Sequence, residues 1–304
     1  MARISTFAAS QTALLDLMKA QRSVFDTQKE LITGKKATDL KGVGHEAETL
    51  SATRAALARS QAYEQAAVRA QARLEAQDTA LNHLNDAATE LRMALTTKDG
   101  NYMMHEVREA FNTVINTLNT THSGAYVFGG TRSDIAPINV TSLNDLLPMA
   151  SAAEAFENNQ RRPSAQLDQQ IAVDVGLLAD EVAGPLMDAF KRIVDFENSA
   201  SGPFVQPMTA AQQAFVTTEV TNVIAAIDNI INKTGEAGSA QAHVETLITS
   251  HQDRQGFLER FIGDMEDVDM ADAATRFQQA QTALDVSART FSSLSQVSLL
   301  NFLR

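Results

Sequence analysis

Three groups of residues in this 304-residue chain have types and spacings that could do chemistry, and each fails at a particular position. His105-Glu106 opens like the H-E-x-x-H of a zinc protease, in which two imidazoles one helical turn apart bind the metal. The position that must supply the second imidazole is Glu109, so a solvated helix face is the better account. Gly42-Val43-Gly44-His45-Glu46-Ala47 has the spacing of a dinucleotide-binding turn. A buried strand must precede such a turn to aim its helix at pyrophosphate, and here Lys35-Lys36-Ala37-Thr38-Asp39 stands in that place. The acidic run Asp264–Asp272 suggests a calcium loop with Asp267 and Asp269 at positions one and three. The sixth position is then Asp272 where a glycine is wanted, and the twelfth is Gln278, which cannot chelate through two oxygens. Carboxylates there complement a helix N-terminus without any metal. The six His are scattered, Cys is absent, and no G-x-S-x-G, Walker or paired catalytic constellation occurs. No catalytic, cofactor or metal site is therefore expected.

Composition points the same way. A net charge of −12 lacks the basic surface that displaces counterions from phosphates, so nucleic acid is not an expected partner. Gly and Pro are scarce at 14 and 6, and the apolar residues are mostly Ala, Leu and Val, which favours long helices over sheets. No run of 18 uninterrupted apolar residues occurs, so no membrane span is expected. The uncharged stretch Ile4–Leu15 is diluted by Ser5, Thr6, Ser10, Gln11 and Thr12, and a helical stripe continues past it, which argues against a cleaved secretion signal.

The elements that would carry any function lie at the two ends. The pairs Leu17/Met18, Val24/Phe25 and Leu31/Ile32 recur every seven residues, which keeps one seam on one helix face up to Thr33 and a Gly34 cap. Near the C-terminus Phe277, Leu284 and Phe291 repeat the interval, widened by Ala280, Leu294 and Val297. Residues 1–45 hold seven Lys and Arg against four Asp and Glu, while residues 264–304 hold three against six. The two ends are thus expected to pair as a coiled coil, with assembly-interface candidates Leu17, Met18, Val24, Phe25, Leu31, Ile32, Phe277, Leu284, Phe291 and Leu294.

Between them a helix is predicted over about 46–98, with Leu74, Leu81, Ala88 and Leu95 at heptad positions, broken by Asp99-Gly100-Asn101. Met104, Val107, Phe111, Val114 and Leu118 give a second apolar face. Ala125-Tyr126-Val127-Phe128 before Gly129-Gly130 reads as a strand and tight turn, and Ile171–Val175 alternates as a strand does. Helix returns from Leu178 to Ile193 and again around Val220–Ile230, with a further helix expected from about Gln241 after Gly235 and Gly238. The fold class is therefore mostly α: terminal helices 1–45 plus 265–304 paired as a coiled coil, a helical core domain 46–130 plus 177–264, and a small surface insertion 131–176 with some β structure on which little core depends.

Several segments resemble the flagellin superfamily and, within it, the hook-filament junction family. Arg3-Ile4-Ser5-Thr6 looks like the junction-type opening, and Leu31-Ile32-Thr33-Gly34-Lys35-Lys36 is similar to the exit from the family's terminal helix. Ala125-Tyr126-Val127-Phe128-Gly129-Gly130-Thr131 resembles its aromatic-Phe-Gly-Thr turn. Glu266-Asp267-Val268-Asp269-Met270-Ala271, Gln281-Thr282-Ala283-Leu284 and Leu299-Leu300-Asn301-Phe302-Leu303-Arg304 resemble its C-terminal signature, the ending being nearer to filament flagellins. The resemblance covers about residues 1–131 and 178–304. It implies a structural subunit joining hook to filament, or alternatively a filament flagellin, exported without a cleaved signal to the extracellular flagellum. The implied partners are the first hook-associated protein, the filament flagellin, further copies of the chain, the flagellar export apparatus and an export chaperone.

Overall fold

Heptad repetition decides most of the architecture. In a computed structural model, which describes residues 2–37, 39 and 44–302, six α-helices occur among the described residues. Gly42, Val43, Leu303 and Arg304 lie outside them, as do the side chains of Arg3-Ile4-Ser5-Thr6 and Val297, so the dinucleotide-like spacing and the two ends of the family signature are not placed. The helices are α1 (Ala2–Thr33), α2 (Ala47–Thr97), α3 (Met103–Leu118), α4 (Ala179–Glu197), α5 (Ala210–Glu266) and α6 (Met270–Phe302). Two antiparallel two-stranded hairpins interrupt them, β1 (Thr121–His122) with β2 (Ala125–Tyr126) and β3 (Ser164–Asp168) with β4 (Ile171–Asp174). The fold is mostly α.

Along α2 the residues Thr53, Ser60, Ala67, Leu74, Leu81, Ala88 and Leu95 recur every seven positions, and all are buried. Along α5 the same holds for Val216, Val223, Ile230, Ala237, Val244 and His251. This unbroken repeat corrects the expectation of two helices separated at Gly235 and Gly238. The helix runs straight through both glycines because its buried face never loses register, and that packing outweighs the roughly 1 kcal/mol by which each interior glycine disfavours a helix. Among the described residues α5 is also the one helix long and apolar enough on average to cross a membrane, and Val216, Val223 and Ile230 of its heptad face are buried in the protein.

The chain divides into two compact units, one of residues up to Arg59 and from Arg254 onward, the other Ser60–Asp253. These boundaries fall inside α2 and α5, whereas the sequence suggested divisions at 45/46 and 264/265. A regular heptad gives no local sign of where packing partners change.

The Ser60–Asp253 unit holds the main core. Met103, Met104, Val107, Ala110, Phe111, Val114 and Leu118 form the buried face of α3, against which α4 presents Val182, Leu186, Met187, Phe190 and Ile193. Phe111 and Phe190 meet edge to face with ring centres 5.1 Å apart. Segment 131–176 does not lie outside this core as expected. Ile138, Val140, Leu143, Leu146, Ala152 and Ala155 are buried in it, and Leu167 and Val175 join a second cluster with Ala67, Ala70, Leu74, Val244 and Leu247. Single 3-10 turns at Leu143–Leu146 and Ala152–Ala155 deliver Leu143, Leu146, Ala152 and Ala155 without any apolar period for the sequence to display.

Polar contacts complete the unit. Pro185 inside α4 cannot donate to the Glu181 carbonyl, and the Asn229 side chain from α5 donates to it instead at 3.0 Å and to the Val182 carbonyl at 2.9 Å. Arg162 pairs with Glu181 and Glu236. These two carboxylates hold the guanidinium even more firmly charged than usual, and Arg162 in turn lowers the Glu236 carboxyl below its usual range. His251 bonds through Nε2 to the Leu167 carbonyl at 2.8 Å, with Nδ1 3.3 Å from the Ser60 hydroxyl.

Candidate assembly interface

The terminal unit is built on α1 and α6. Their heptads alternate large and small residues: Leu17, Ala20, Val24, Thr27 and Leu31 on α1, and Ala273, Phe277, Ala280, Leu284, Ser287, Phe291 and Leu294 on α6. Such a stripe lets two helices approach closely over a narrow seam. Arg276 Nη2 lies 2.9 Å from Glu30 Oε2, and Lys35 bridges Asp267 in antiparallel fashion. The end of α1 therefore lies beside the start of α6, and the two helices pack antiparallel.

Seven of the ten candidate residues sit on this seam, namely Leu17, Val24, Leu31, Phe277, Leu284, Phe291 and Leu294, and all are half-buried. The fully shielded members are the small ones, Ala20, Thr27, Ala273 and Ala280. Of these the sequence pattern offered only Ala280; continuing the 3-4 spacing through small residues locates the rest. The other three candidates, Met18, Phe25 and Ile32, are displaced by one position and face outward, exposed by 57%, 69% and 76%. With Leu14, also exposed, they form a second stripe at 14, 18, 25 and 32, parallel to the seam and uncovered among the described residues.

Charge is arranged differently from the overall balance of the two ends. The ion pair between α1 and α6 puts its acid, Glu30, on the basic end and its base, Arg276, on the acidic end. The expected complementarity is realised in the connecting segments instead. Gly34, in the left-handed region at φ +68°, closes α1 by donating to the Glu30 carbonyl at 2.8 Å. Lys36 N then donates to the Glu266 carbonyl at 2.7 Å, and Val268 N to the Gly34 carbonyl at 3.0 Å. Lys36 Nζ donates to the Asp264 carbonyl at 2.7 Å, placing a cation on the free carbonyls at the end of α5. Asp269, considered above as a calcium ligand, accepts from Ala271 N at 2.8 Å and Asp272 N at 3.2 Å, the arrangement of a helix N-cap.

Residues 220–303 match the family model of the bacterial flagellin C-terminal helical region. Among solved structures, a flagellar hook-associated protein from Vibrio parahaemolyticus is similar at a TM-score of 0.60 and 15% identity, covering 73% of this chain and 97% of that one. FlgL from Bacillus cereus is similar at a TM-score of 0.56 and 16% identity, covering 70% of this chain and 99% of that one. No curated protein sequence matches the chain.

Proposed function

We propose, from the premise that residues 220–303 are a bacterial flagellin C-terminal helical region within a fold shared with flagellar hook-associated proteins, that this chain is the flagellar subunit joining hook to filament. It is a structural protein of the flagellum, not an enzyme. The observation that carries the reading is the coincidence of the flagellin match with α5 and α6, the latter paired to α1 with an apolar stripe left uncovered beside the seam.

In this reading the outward stripe Leu14, Met18, Phe25 and Ile32 is covered when subunits stack. Burying one such side chain contributes about 1.5–3 kcal/mol, and repeated heterologous contacts propagate a helical array instead of closing a dimer. The partners are copies of the chain, the first hook-associated protein on one side and the filament flagellin on the other. The subunit reaches them through the flagellar export apparatus, accompanied before export by a chaperone, and ends outside the cell.

Immunogold labelling of intact flagella tests this. Label at the hook end of the filament alone is the expected result. Label along the whole filament would assign the chain as its flagellin, and no label on the flagellum would remove the reading altogether.

A further inference from the structure

We infer that Glu266 is the keystone of an ion clasp that sets where order ends in the free subunit. Its side chain is only 4% exposed, at the last residue of α5, and it accepts from two cations carried by separate segments. Lys35 Nζ, just past the end of α1, lies 2.9 Å from Oε2, and Arg54 of α2 is paired with Oε1. Around this carboxylate the connections entering and leaving the terminal helix pair exchange the two backbone hydrogen bonds between Gly34, Lys36, Glu266 and Val268.

The α1–α6 seam shields only small side chains, so by itself it holds its helices weakly. The clasp is different in kind. Glu266→Gln keeps the side chain's shape but turns one acceptor into an N–H donor facing a cation, so the site loses both charge-assisted bonds that tie Lys35 and Arg54 to the end of α5. Lys35 and Arg54 are about half exposed, which moderates the effect without abolishing it. The clasp therefore marks a step in local stability. Beyond it the helix pair opens readily, and inward of it α2 and α5 stay ordered. This concerns the free subunit and stands apart from the flagellar reading.

Limited trypsin digestion of the purified full-length chain, read by mass spectrometry, tests the step. In the unmodified protein cleavage is expected at Lys19, Arg22, Lys29, Arg276 and Arg289, while Lys35, Lys36, Arg54 and Arg260 resist. In Glu266→Gln the protected fragment shrinks toward residues 60–253, with cleavage at Arg54 and Arg260 at least about tenfold faster. Arg54→Gln acts in the same direction on Arg260, though less. Arg289→Gln, which removes an exposed pair with Asp285 on α6, leaves the boundary unmoved. Thermal unfolding followed by circular dichroism accompanies each digest, and the transition of the Ser60–Asp253 unit is expected to persist in Glu266→Gln. An unchanged boundary in Glu266→Gln, an equal retreat in Arg289→Gln, or loss of that transition would overturn the clasp.

Discussion

The core of the Ser60–Asp253 unit and the α1–α6 pair use the same heptad grammar with opposite consequences. In the first, Phe111, Phe128 and Phe190 are fully buried, and Phe196 stacks on Phe215 with ring centres 4.0 Å apart. In the second, Phe277 and Phe291 are only half-buried and Phe25 lies in the open. A core finished within one chain buries its large residues on all sides. The α1–α6 pair leaves the same residue types exposed along one line, and under the proposed function that line is what neighbouring subunits cover.

The largest expected effect comes from segment 131–176. Replacing it with a short Gly/Ser link removes Ile138, Val140, Leu143, Leu146, Leu167 and Val175 from two buried clusters. At about 1.5–3 kcal/mol for each large side chain, the loss is as large as the whole stability of an ordinary domain. Circular dichroism of the shortened protein should show no cooperative unfolding of the Ser60–Asp253 unit. A shortened chain that still melts cooperatively would return the segment to the status of a dispensable surface insertion.

Two phenylalanines draw the contrast most directly. Phe190→Ala should cost about 3–5 kcal/mol, read as a lower urea midpoint of the purified chain. Phe25→Asp should leave that midpoint unchanged, since the side chain is exposed, while attachment of filaments is lost in cells producing it. Phe291→Asp should also leave that midpoint nearly unchanged, because the weakly held α1–α6 pair opens before the main transition, and should likewise lose attachment. Normal motility with Phe25→Asp would mean that the outward stripe is ordinary surface.

Asn229 ranks next. It replaces the donor that Pro185 lacks, so Asn229→Ala leaves the Glu181 carbonyl without its partner and should cost about 1–3 kcal/mol in the same urea measurement. Combining it with Pro185→Ala, which restores a backbone N–H to α4, should recover much of the loss. Equal stability of the single and double variants would remove the link between the two residues.

How far the sequence discloses these features follows from the range of the forces involved. Heptads are local, so Leu74, Leu81, Ala88 and Leu95, the two terminal seams and the mostly α class are all readable from spacing. What spacing hides is partnership. Leu143 and Leu146 enter the core from a 3-10 turn, with no periodicity to announce it. Adjacent pairs such as Val24/Phe25 show an apolar edge, yet only the packing of α6 decides that Val24 turns inward and Phe25 outward. Asn229 and Pro185 lie 44 positions apart, and nothing in either neighbourhood points to the other.

Gly235 and Gly238 give the smallest effect and the finest test of that lesson. Both look like helix breakers, and both stand inside α5 with helical backbone and with no neighbouring atom within 4 Å of where a Cβ would sit. Alanine therefore fits at either position without strain, and it narrows the unfolded ensemble while raising helix propensity. Each substitution should stabilise the Ser60–Asp253 unit by about 0.4–1 kcal/mol, and the two together should approach the sum. Urea unfolding of Gly235→Ala, Gly238→Ala and the double variant measures it. The comparison of regions sharpens when the same variants are scored for filament attachment. A more stable monomer that still attaches filaments means that this face of α5 stays open in the assembly. A more stable monomer that fails to attach would place the two open glycines under a neighbouring subunit, extending the uncovered surface from the terminal helices onto the core unit itself. A destabilised monomer would show instead that α5 bends at these glycines in solution.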